Sequence, residues 1–69
     1  MLRVTQLRNE YGWSQAELAR RSGMNQATVC HIERGHVNPY PSQLAKLARA
    51  LDVDPSRAAE LMEVIGEDD

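Results

Sequence analysis

Sixty-nine residues make one small domain, and a core of that size supplies only ~3–5 kcal/mol of net stability. A single cysteine excludes an internal disulfide, and no apolar run approaches the ~20 residues of a membrane span. The net charge of −2 argues against a nucleic-acid partner only until its distribution is read. Residues 1–51 hold seven Lys/Arg against three Asp/Glu, a balance of +4, and residues 52–69 hold one against seven, a balance of −6. Charge asymmetry of this kind matters more for nucleic-acid binding than the total.

The spacing of Val4, Leu7 and Tyr11 predicts a first helix from Met1 to Tyr11, ended by Gly12. Arg8 falls on or near its apolar side, where a guanidinium needs a partner because burying an unpaired charge is costly. Ser14-Gln-Ala-Glu17 has the pattern of a capping box, with Trp13 and Leu18 placed for a hydrophobic staple. Ser22-Gly23 stops this second helix, and Asn25 is a good N-cap for a third. Arg20 and Arg21 read as solvated charges on the outer face of the second helix.

On a wheel of ~100° per residue, Thr28, Val29 and Ile32 gather on one side of the third helix. Gln26, Ala27, Cys30, His31 and Arg34 gather on the other. That second face has hydrogen-bonding heads, a cation and small residues, without the bulky apolar anchor a protein partner wants. It suits base edges and phosphates, since glutamine can bond bidentately to adenine and arginine pairs with guanine or phosphate. Gly35 ends the helix, and His36 to Tyr40 form a loop. Pro41 opens a fourth helix with a core stripe of Leu44, Leu47, Ala48 and Leu51, leaving Lys46 and Arg49 outside. Asp54-Pro55 starts a fifth, striped by Ala58, Leu61, Met62 and Ile65 with Val64 beside it; Gly66 to Asp69 are expected to fray.

Arg8, the run from Trp13 to Ala19, Gly23, the IERG of Ile32 to Gly35, Asn38-Pro39 and the stretch from Leu44 to Val53 together resemble the Cro/C1-type helix-turn-helix, or XRE, family. The resemblance runs from about Val4 to Pro55, and the ordered spacing of all these residues makes it specific. It implies an all-α, five-helix bundle with a central helix-turn-helix, the lambda-repressor-like DNA-binding fold, over residues 1–66, with 67–69 an acidic tail. It implies a DNA-binding transcriptional regulator, most often a repressor, that binds an inverted repeat of double-stranded DNA as a homodimer. Part of the fifth helix would then form the two-fold interface. Gln26, Ala27 and His31 would contact bases, and Gln15, Thr28, Arg34, His36 and Asn38 the DNA backbone. Gln15 would also brace Gln26, and Arg8 would pair with Glu33 as a structural tie between the first and third helices. The loop departs from many relatives in lacking Lys and Arg, and Tyr40 suits either a phosphate contact or packing.

Other chemistry finds little purchase. Cys30, His31 and His36 lie close in sequence, but adjacent residues on a helix diverge and no fourth ligand is evident, so no metal is expected. No Ser/His/Asp set or glycine-rich phosphate loop is present, so neither an enzyme nor a cofactor is expected. With no export signal in view, the cytoplasm is the expected compartment. The alternative function is that of an antitoxin or co-regulator whose fifth helix and acidic tail bind a basic protein.

Overall fold

The structure, a computed structural model, describes residues 1–65. Four α-helices, α1 (Arg3–Glu10), α2 (Gln15–Ser22), α3 (Gln26–Glu33) and α4 (Pro41–Ala50), are followed by a 3₁₀ helix (Pro55–Met62). Every one of these helices sends apolar side chains into a single core. Val4, Leu18, Val29, Ile32, Leu47 and Leu61, with Leu51 just beyond α4, are almost wholly excluded from solvent. The helix-turn-helix is α2 and α3, and α4 packs across α2 and the 3₁₀ helix.

Local chemistry sets the helix boundaries. The Ser14 hydroxyl accepts the Glu17 amide at 3.0 Å, which starts α2. Glu17 does not complete the reciprocal box: its carboxylate is taken by Arg20 and Arg21, two cations at i+3 and i+4 that compete better than a neutral amide. At the other end of α2, Gly23 adopts φ 72°. The Met24 amide there bonds back to the Ala19 carbonyl at 2.8 Å, closing the turn that aims α3. The same closure recurs after α4, where the Val53 amide reaches Ala48 at 2.8 Å, but Asp52 rather than glycine takes the positive φ, 59°.

Several expectations are corrected. Tyr11 is not a core residue: it is exposed, stacks on Trp13 with centroids 4.4 Å apart, and donates its hydroxyl to the Leu51 carbonyl at 2.9 Å. Arg21 is not simply solvated, because its guanidinium lies 4.3 Å over the Trp13 ring, a cation–π contact. Ile65 and Val64 are not helical, and Met1 and Leu2 precede α1 rather than belong to it. Instead the two ends of the described chain pair as an isolated antiparallel bridge, Leu2 with Val64. The Arg3 amide donates to Glu63 at 2.9 Å and the Ile65 amide to Met1 at 2.8 Å. Those partners replace the ones another helical turn would provide, and β-branched Val64 and Ile65 suit the extended form. The expected fraying of Gly66 and the acidic tail at 67–69 lies outside the described residues.

Candidate nucleic-acid interface

Asn25 caps α3 by accepting the Ala27 amide on its side-chain oxygen at 2.8 Å. Burial of Val29 and Ile32, each 1 % exposed, then fixes which way the helix faces. Gln26, Ala27 and His31 are exposed on α3, as is Arg34 at its C-terminal cap; Thr28 and Cys30 are half-buried at the border. A surface of amide, imidazole, guanidinium and methyl groups therefore faces outward, free of large aliphatic side chains.

The underside of α3 is tied down by one carboxylate. Arg8 donates from Nε to Glu33 Oε2 at 2.7 Å and from Nη2 to Oε1 at 3.0 Å. Its remaining Nη1 donates to the Trp13 carbonyl at 2.7 Å. The pair is largely dry, with side-chain exposures of 13 % for Arg8 and 4 % for Glu33. Gln15 Nε2 adds a bond to Glu33 Oε1 at 3.1 Å. Gln15 thus braces Glu33 at the end of α3, not Gln26 at its start, because the fully charged acceptor is the stronger one. The result is a connected network joining α1, the α1–α2 turn, the first residue of α2 and the last residue of α3.

Beside α3 runs an open groove of about 280 Å³, lined by Thr28, His31, Val37, Asn38, Tyr40 and Gln43. It brings together two residues of the helix and one of the loop that the sequence singled out. His36 joins them through its ring, whose centroid lies 5.9 Å from that of His31 at an interplanar angle of 36°. Sequence reading missed Val37 and Gln43. Gln43 carried a signal, since a glutamine at the third helical position can reach back to the cap, and its Oε1 accepts the Tyr40 amide at 2.9 Å. Tyr40, with half its chemistry polar and 72 % of its surface exposed, stands at the groove edge. Gln26, Ala27, Gln15 and Arg34 lie outside this groove.

The local electrostatics separate bound from available cations. Hydrogen bonds from Arg20, then Arg21, hold the Glu17 carboxyl below the usual glutamate range and occupy both guanidinium groups. Arg8 is spent on Glu33. Among the described residues Arg3, Arg34, Lys46 and Arg49 have no carboxylate partner, Arg3 bonding the neutral Gln6 instead, so the unpaired positive charge of the first 51 residues sits on α1, at the C-terminal cap of α3 and on α4. Among the described residues no three His, Cys, Asp or Glu side chains converge to hold a metal ion, and no helix is long and apolar enough to cross a membrane.

Comparison with known proteins finds the same arrangement elsewhere. The family described as Helix-turn-helix matches residues 4–57. The restriction-modification controller protein C.AhdI from Aeromonas hydrophila superposes with a TM-score of 0.76 at 39 % identity, over 81 % of this chain and 85 % of that one. The N-terminal DNA-binding domain of SinR from Bacillus subtilis gives 0.76 at 34 % identity, over 83 % and 84 %. An HTH-type transcriptional regulator of Sinorhizobium fredii, y4dL, is 46 % identical over 41 residues, which is 59 % of this chain but only 21 % of that regulator. With the family match spanning most of the sequence and the α2–α3 geometry in place, this chain belongs to the Cro/C1-type helix-turn-helix family of DNA-binding transcriptional regulators.

Proposed function

We propose that the chain is a cytoplasmic transcriptional repressor that binds an inverted-repeat operator as a homodimer, with α3 in the major groove. In this reading Gln26, Ala27 and His31 meet base edges, and Gln15, Thr28, Arg34, His36 and Asn38 hold the sugar-phosphate backbone. The observation that carries it is the outward face of α3: hydrogen-bonding heads and small groups on a helix locked from below by Val29, Ile32 and the Arg8–Glu33 pair. Glutamine at the exposed start of α3 suits adenine, and Ala27 beside it offers a methyl to thymine.

Selection of bound sites from a random-sequence duplex pool tests the reading. The expected product is a two-fold symmetric site with half-sites about one turn apart. Gln26→Ala is expected to cost about 1–3 kcal/mol on that site and to relax the base preference at one position per half-site. A pool that shows no enrichment and no retardation at low salt would refute DNA binding. Enrichment of an unsymmetric site would refute the dimeric mode alone.

A further inference from the structure

We propose, resting on the DNA-binding reading above, that DNA binding by this chain takes up protons at the His31–His36 pair, so that affinity for the duplex is set by pH. Both rings are exposed, one on α3 and one in the loop after it, with centroids 5.9 Å apart. Imidazole is the side chain whose charge ordinarily changes between pH 5 and 8. The loop that presents His36 has neither Lys nor Arg, so these two imidazoles are the only cations that residues 31–40 can add to Arg34.

Among the described residues neither ring forms an ion pair with a carboxylate. No carboxylate lines the groove beside His31, where Thr28, Val37, Asn38 and Gln43 are neutral and the Tyr40 phenol is the one other titratable group. On α3 itself the carboxylate is Glu33, already engaged by Arg8 and Gln15; the remaining ionisable neighbours are Cys30 and the Arg34 guanidinium. From α2, which packs against α3, comes one carboxylate, Glu17, already held by Arg20 and Arg21, and from α4 only the cations Lys46 and Arg49. A DNA duplex laid on this face brings phosphate charge near both rings, and a nearby opposite charge favours the charged form of an ionisable group. The complex therefore binds more protons than the separated partners, and by linkage affinity rises as pH falls.

The test is fluorescence anisotropy with a labelled random-sequence duplex pool at low salt, between pH 8 and pH 6, with circular dichroism at each pH to follow the fold. For the wild type, affinity is expected to rise about tenfold per pH unit for each proton taken up. The log–log salt slope is expected to be steeper at pH 6 than at pH 8 by about 0.9 for each phosphate gained. H31Q/H36Q is expected to lose this pH dependence. H36K, which fixes one positive charge, is expected to bind more tightly than wild type at pH 8 and to gain less on acidification. A wild-type profile that is flat, or one that H31Q/H36Q reproduces, overturns proton coupling and leaves DNA binding standing. Absence of binding at every pH overturns both.

Discussion

Arg8 spends all three kinds of its guanidinium nitrogen on fixed acceptors: two on Glu33 and one on the Trp13 carbonyl. Removing one partner of a pair this dry leaves the other charge buried, which costs about 3–5 kcal/mol. That equals the whole ~3–5 kcal/mol expected of a domain this small. Arg8→Ala should therefore be largely unfolded at 25 °C, as a urea or thermal melt would show, and an unchanged melt would mean the pair carries no weight. Gln15→Ala makes the contrast, since it removes one neutral donor from Glu33 and leaves the ion pair whole. The sequence alone said that Arg8 needed a partner; resemblance, not periodicity, named Glu33. The Gln15 link was not legible from either, because it depends on the angle at which α2 meets the last residue of α3.

At the scale of elements, caps do most of the specifying. Ser14, Asn25 and Asp54 each accept a backbone amide two or three residues on, and each could be seen in the sequence as a small polar residue before a helical stripe. Asp54 adds a pH dependence. Its carboxyl is held below the ordinary aspartate range by the Ser56 amide and then the Ser56 hydroxyl. A value depressed in the folded state stabilises above the unfolded value, near pH 4, and that contribution is lost as pH falls through the folded value. Asp54→Asn keeps an acceptor but has no charge to lose, so its melting temperature should fall less between pH 5 and pH 3 than that of the wild type. Equal acid sensitivity in the two proteins would assign the effect elsewhere, for instance to Glu17 or Glu60, whose carboxyls are likewise lowered by arginine hydrogen bonds. What the caps could not reveal is how the 3₁₀ helix ends. Its stop comes from main-chain bonds to residues at the opposite end of the chain, a contact that no local window contains.

Over the whole molecule, exposed apolar surface falls in places with different uses. Val37 and Tyr40 line the groove beside α3, and Tyr11 lies on the Trp13 stack, whereas Met1 and Val64 belong to the paired ends, with Val64 79 % exposed. The proposed homodimer needs a self-complementary patch that leaves α3 free, and Val64 is the most exposed of these apolar side chains. Val64→Asp tests this with little risk to the fold, since the Leu2–Val64 pairing is made by main chain and a substitution at so exposed a site usually changes stability by less than about 0.5 kcal/mol. Sedimentation equilibrium is expected to show a dimer dissociation constant raised about tenfold or more, the equivalent of ~1.4 kcal/mol. Binding to a duplex with one half-site should be retained, while the added affinity of a second half-site should shrink in step with the dimer. A Val64→Asp protein that dimerises like the wild type would move the two-fold axis to another surface, and one that unfolds would assign Val64 to the core despite its exposure.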